Sequence, residues 1–272
     1  MTFIQRHAYG IGCGVAALLW PFFRKRRRIA VNNILRCGIT DSEKRALDIA
    51  KNSWCHLAGH IGEALCVPGV INMDNWREHL DVSKVPEETA KMLLERNDTP
   101  ILLVSAHHGV WEAATNLLSF ARPMIAIARV QNNRIIAKWM AKHHFRGPVT
   151  IIDKNNGFTK SVINKWREDR SAMTILMDQY AGNGALLEFL GRPARTFTTA
   201  ARLAIRYGYP VVVGSFVRIA PYRYRLVGGG TLAFNKDMNV NVATQLLNDR
   251  LGDAIRQYPE QYLWVHRRWR DD

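Results

Sequence analysis

The sequence predicts an α/β protein with a largely parallel central sheet flanked by helices and an N-terminal apolar anchor helix. Three observations carry this expectation. From Thr99 onward, short apolar runs alternate with amphipathic stretches, the pattern of βα units. Residues 41–66 instead repeat their apolar positions every three or four residues. Ahead of both, residues 9–23 hold no charge, and residues 24–28 read RKRRR.

The apolar run is interrupted by Gly10, Gly12, Gly14 and Pro21 and is shorter than the roughly 20 residues a spanning helix needs. A signal peptide places its charges before the apolar stretch and a small-residue cleavage site after it; here the dense basic block comes after. The run therefore reads as an interfacial anchor with a cationic collar, Trp20, Phe22 and Phe23 forming an aromatic belt, or else as a buried first helix with a solvated basic tail. Seven basic and no acidic residues precede Asp41, which favours the membrane reading and places the body on the cytoplasmic side. The expected organisation is 1–40 as anchor and collar and 41–272 as one α/β domain.

In that domain, Asp41 or Ser42 caps a helix whose inner face is Ala46, Ile49, Ala50, Trp54, Leu57, Ile61 and Leu65, and Pro68-Gly69 ends it. A second helix is expected over 85–95. Strands are expected at 101–106, 124–129, 149–153, 172–178 and 211–217, with helices near 110–120, 133–145, 158–168 and 198–207 between them. Residues 222–229 read as an edge strand and 239–257 as a closing helix. No internal repeat or low-complexity linker is evident.

Composition narrows the function. The 272 residues are 47% hydrophobic, so a core is available and wholesale disorder is excluded. Lys plus Arg number 38 against 23 Asp plus Glu, a net charge of +15, which points to an anionic partner: a phosphorylated substrate, an acidic protein, a membrane surface or nucleic acid. Nucleic acid is disfavoured because the basic residues form no RNA- or DNA-binding module and the densest block adjoins the apolar run. Cys13, Cys37, Cys55 and Cys66 form no CxxC pair, which excludes a zinc ribbon or a thioredoxin-like motif and leaves reduced helical thiols.

The most informative stretch is ILLVSAHHGVWEAA, residues 101–114. An apolar strand runs into two histidines, a glycine and a helix bearing a carboxylate, and ligands of open α/β sheets bind beyond the carboxyl ends of strands. His108 and Glu112 are spaced to share a helix face; His107 and Glu112 diverge by about 140° on a continuous helix and need a bend, which Gly109 supplies. A neutral imidazole with a carboxylate on its other ring nitrogen takes a proton from a hydroxyl and is stabilised as the imidazolium. No GxSxG motif or nearby cysteine offers a nucleophile, so the attacking hydroxyl belongs to a substrate. HHxxxE lacks the HExxH spacing, so no metal or other cofactor is expected. His108 reads equally as a core or cap residue.

His107-x4-Glu112 resembles the catalytic dyad of the membrane-associated acyltransferases, within the subgroup of lipid A biosynthesis acyltransferases, the late lauroyl and myristoyl enzymes. Further segments are similar to that family's: RRRIAVNNI (26–34), ARVQNN (128–133), Arg146-Gly147, LMDQYAGNGALLEFLGRPARTFTTAARLA (176–204) and YPEQYLWVHRRWR (258–270), with Tyr262 where a Trp is more usual. The ordered set covers nearly the whole chain.

The resemblance implies a glycerolipid-acyltransferase-like fold at the bacterial inner membrane. It implies transfer of a fatty acyl group from a thioester, on acyl carrier protein or coenzyme A, to a hydroxyl of a lipid A precursor or similar glycolipid. An acidic carrier, a phosphorylated acceptor and an anionic leaflet all match the +15 charge. His107 is then the general base and Glu112 orients it. Arg129 is expected at the oxyanion or at a phosphate, or as a surface arginine. Asp178 holds a polar network near the site or caps a helix, and Arg202 assists a phosphate or is structural. Trp111, Leu117, Phe120, Phe189 and Leu190 line an acyl groove or belong to the core, and His266, Arg267 and Arg268 meet a headgroup or form a solvated edge. Another acceptor, such as a lysophospholipid, an aminolipid or a phosphoinositol mannoside, suits the same dyad.

Overall fold

The computed structural model describes residues 1–95, 98–128, 148–153 and 159–270, with the side chains of Ala128 and Asp153 left aside. Helix α1 (Phe3–Leu19) starts in a Thr2 capping box, and a short 3-10 turn at Trp20–Phe22 leads to α2 (Arg24–Arg36) and α3 (Glu43–Cys66), capped by Ser42. Then come β1 (Leu80–Asp81), α4 (Glu87–Leu94), β2 (Ile101–Ser105), α5 (Trp111–Leu118), β3 (Met124–Ala128) and β4 (Val149–Asp153). The chain continues through α6 (Lys160–Glu168), β5 (Ala172–Leu176), β6 (Ala185–Phe189), β7 (Arg192–Thr196), α7 (Thr199–Tyr207), β8 (Val211–Ala220), β9 (Arg223–Leu232) and α8 (Val240–Gln257). The helix expected at 133–145 lies outside the described residues.

The main sheet runs β1-β9-β8-β2-β5-β3-β4. Five strands are parallel; β9 is antiparallel to β8, and β1 pairs parallel with β9. The expected strand at 222–229 is thus longer and is not the edge: β1, too short to leave a periodicity, covers it. Strand β2 is buried along its length, with Leu102 and Val104 in the core under α2, α3, α6, α7 and α8, and Ile101 and Leu103 in the core under α4 and α5. Burial on both faces explains why β2, β5 and β8 read as continuous apolar runs. A separate hairpin, β6–β7, turns through Leu190 and Gly191 at φ +55° and +79°, a two-residue turn matched to strand twist. It docks on α8, where Asn248 Nδ2 donates to the Glu188 carbonyl at 2.7 Å.

The amino-terminal segment departs from a simple anchor. α1 lies along α3, so close that a Cβ on Gly12 would overlap the Ala58 carbonyl and one on Gly62 would sit 2.7 Å from the Ala8 carbonyl oxygen. No helix among the described residues is long and apolar enough to cross a membrane. α2 sends Ala30 and Ile34 into the main core, and its Asn33 Nδ2 donates to the Trp264 carbonyl at 2.9 Å. α3 also differs from its periodicity. Its inner face buries Ser53, His56, His60 and Glu63, while Ile61 and Leu65 are exposed.

Candidate active site

The site forms where β2 and β5 end. Their register pairs Ser105 with Leu176, so the residues two beyond each strand, His107 and Asp178, leave the sheet at the same level. His107 Nδ1 meets Asp178 Oδ1 at 2.8 Å. The carboxylate only accepts when ionised, so Nδ1 carries the proton and Nε2 the lone pair. Gln179 Nε2 approaches that Nε2 at 3.2 Å and donates its amide hydrogen. The His107 side chain is 18% exposed and Asp178 only 2%. Burial works to raise the Asp178 pKa, but the adjoining His107, its hydrogen bonds and Arg268 hold it below the usual carboxylate value. The carboxylate is therefore ionised at neutral pH.

The turn that presents His107 is fastened on every side. Gly109 has φ +71°, the bend the sequence calls for. The His107 carbonyl accepts from Leu263 N, and Gly109 N donates to the Gln261 carbonyl, both at 3.0 Å. Val110 N donates to the Phe216 carbonyl at 2.7 Å. His56 Nε2 donates to the Gly109 carbonyl at 3.0 Å. Of the carboxyl-terminal residues read from the sequence as a headgroup contact or solvated edge, Arg267 is exposed, whereas His266 and Arg268 pack beside the site. Buried Arg268 donates to the Gln179 carbonyl (3.0 Å), to Thr196 Oγ1 (2.6 Å) and to the Arg195 carbonyl. His266 Nε2 accepts from Tyr180 N at 3.3 Å.

The expected site residues divide accordingly. His107 and Asp178 come together. Glu112 sits half-buried in the first turn of α5, just after the Gly109 bend. Arg202 is exposed on α7, and its Nε donates to Thr198 Oγ1 at 2.9 Å rather than to a site residue. Arg129 and Arg146-Gly147 lie outside the described residues. His108 is fully buried, with Nε2 donating to the Tyr258 carbonyl at 3.0 Å, the core role that its position allows. Leu117, Phe189 and Leu190 are core, whereas Trp111 is half-buried with its ring centroid 5.2 Å from that of His107. Gln179 and His56 escaped the sequence reading. Gln179 adjoins Asp178, and His56 belongs to a row of polar residues on the inner face of α3, a signal that was present.

Burial pushes His56 and His108 down to about 4, against a hydrogen bond in each case that works upward. Their folded pKa lies below the unfolded value of about 6.5, so the unfolded chain binds more protons below that pH. Stability is then complete above pH 6.5 and is lost as pH falls toward 4, by about 1.4 kcal/mol per unit for each histidine. Asp178 retains its contribution through this window because its own pKa is depressed. Thermal midpoints measured from pH 7 to pH 4.5 are expected to fall steeply below 6.5; a flat profile would count against two buried neutral imidazoles.

The geometry is that of a base with a fixed tautomer at the mouth of an α/β sheet. A family model described as bacterial lipid A biosynthesis acyltransferase matches residues 4–271. The chain is also similar to the lipid A biosynthesis palmitoleoyltransferase of Escherichia coli K12, at 23% identity over 96% of this chain and 84% of that protein. The lipid A biosynthesis acyltransferase of Shigella flexneri matches with the same identity and coverage.

Proposed function

Because the chain belongs to the bacterial lipid A biosynthesis acyltransferase family, we propose that it is a membrane-associated O-acyltransferase using His107 as its base. The fatty acyl group comes from a thioester, on acyl carrier protein or coenzyme A, and goes to a hydroxyl of a lipid A precursor or similar phosphorylated glycolipid. Family membership makes the chain an acyl-transferring enzyme of lipid A biosynthesis and favours this over nucleic-acid binding. The observation that carries the choice of base is the 2.8 Å pair of His107 Nδ1 and buried Asp178, which leaves the lone pair on Nε2, where the Gln179 amide meets it.

In this reading the acceptor hydroxyl displaces the Gln179 amide from Nε2. Nε2 takes the hydroxyl proton as the oxygen attacks the thioester carbonyl. Asp178 holds the tautomer and stabilises the imidazolium, and Glu112 adds a second negative charge from α5. The tetrahedral intermediate collapses, the carbon–sulfur bond breaks, and the imidazolium returns its proton to the departing thiolate. Arg129 directly follows β3, which ends at the same edge of the sheet, and is proposed as the donor to the oxyanion or to an acceptor phosphate.

The membrane contact falls to α1. Ile4, Ile11, Val15 and Leu18 of α1, with Phe22 in the turn that follows it, recur at spacings of seven, four, three and four, and all are exposed. They form one apolar stripe opposite the face pressed on α3. The cationic collar, Arg24 to Arg28, follows directly. Such a helix lies in the plane of an anionic bilayer, here the cytoplasmic face of the bacterial inner membrane, while α2 joins the core of the catalytic domain.

One experiment tests both parts: mass spectrometry of lipids from cells lacking the protein, restored with wild type or with His107→Ala, alongside membrane fractionation. Wild type is expected to restore one acylated species and His107→Ala none, while both sediment with membranes. Reversing the collar charges to Glu is expected to shift the protein to the soluble fraction. Full restoration by His107→Ala removes the base assignment, and a modified lysophospholipid or aminolipid moves the acceptor elsewhere.

A further inference from the structure

We propose that His56 is a positioning residue for His107, holding the catalytic turn by its Gly109 carbonyl and itself set by Tyr9 of the apolar-striped helix α1. This rests on the reading of His107 as base. Its geometry does not depend on that reading. His56 Nε2 lies 3.0 Å from the Gly109 carbonyl oxygen, which only accepts, so Nε2 bears the proton. Nδ1 then carries the lone pair, and Tyr9 Oη, at 3.0 Å, donates to it. The tautomer is thus fixed from α1, through α3, to Gly109, the left-handed residue two positions after His107.

Tyr9 is itself braced. The Arg218 guanidinium lies 3.8 Å from the centre of its ring, and Arg218 Nε donates to buried Glu63 Oε2 at 2.9 Å. Glu63 Oε1 also accepts from Tyr224 Oη at 2.8 Å. A second line of contact runs beside the hydrogen bonds. Ring centroids step from Tyr9 to His56 (5.8 Å), to His60 (5.9 Å), to Trp111 (4.3 Å) and to His107 (5.2 Å). A displacement of α1 on its lipid-facing side therefore reaches the base along packed groups. Burial keeps His56 neutral at pH 7, with its pKa lowered to about 4, so the single tautomer persists under working conditions.

The test uses the full-length protein in detergent, with lauroyl-acyl carrier protein as donor and a tetraacylated lipid A precursor as acceptor, plus imidazole ¹⁵N spectra. His56→Leu is expected to lower kcat about 10–100-fold with KM unchanged, the scale of a small misplacement of a reacting group. His56→Gln, whose amide reaches the same carbonyl, is expected to recover most of that loss, and Tyr9→Phe to fall between. In the wild-type spectrum His56 is expected to be neutral with its proton on Nε2, a readout that needs no turnover. A proton on Nδ1, equal losses in His56→Leu and His56→Gln, or a loss carried by KM each overturns the proposal. Wild-type kcat in His56→Leu beside an inactive His107→Ala overturns it while leaving the base in place. Activity in His107→Ala overturns the reading beneath it.

Discussion

Asp178→Asn is expected to lower kcat by about 10²–10⁴ with KM little changed, the scale on which a general base and its orienting carboxylate act. The carboxylate at 2.8 Å accepts the Nδ1 proton of His107 and keeps the lone pair on Nε2, where the Gln179 amide meets it. An asparagine there presents an amide that donates as readily as it accepts. When it donates, Nδ1 loses its proton, Nε2 gains one, and the imidazole no longer accepts a hydroxyl proton. It also removes the charge that stabilises the imidazolium at a site where Asp178 is 2% exposed and screening by water is weak. Steady-state kinetics of Asp178→Asn beside Glu112→Gln tests this, with the smaller loss expected for Glu112→Gln. The opposite order would return the tautomer-holding role to Glu112.

Gly109→Ala is expected to destabilise the fold by about 2–5 kcal/mol and to abolish most activity in the protein that remains folded. Two costs combine. The φ of +71° disfavours any Cβ, and the added methyl would overlap the Phe216 carbonyl oxygen. That oxygen cannot retreat freely, because it accepts from Val110 N at 2.7 Å. Relief by a rotated turn would also swing the preceding histidines, separating His107 from Asp178. Urea unfolding of wild type and Gly109→Ala, with turnover on the same samples, provides the measurement. A change within 0.5 kcal/mol would show the turn to be far softer than its contacts imply.

Much of the scaffold was legible because its signals are local. Strands buried on both faces must be apolar along their length, so β2, β5 and β8 stand out as runs, as do β3 and the more exposed edge strand β4, and the helices between them keep a three- to four-residue period. Where local signals are weak the reading thinned. Strand β1 has two residues, and the β6–β7 hairpin carries Pro193 and too little alternation to announce itself. On α3, counting apolar positions chose Ile61 and Leu65 as inner residues; the fold buries the polar His56, His60 and Glu63 instead, because each finds hydrogen-bond or ring partners there. Those partners lie on α1, α5, β9 and the Gly109 turn, far away in sequence.

The sequence by itself determined the βα alternation, the glycine bend after His107, the chemistry available to that imidazole and the basic, apolar-edged amino terminus. Each depends on residues within a few positions of one another. Tertiary structure decided that the Asp178 carboxylate meets the imidazole. His107 and Asp178 are 71 residues apart, and they face one another because β5 lies beside β2 in parallel register and carries both chains off the sheet at one level. Strand order follows from how the crossover helices pack on the two faces, a global property with no local trace, and so the pairing of His107 with Asp178 could be known only from the folded chain.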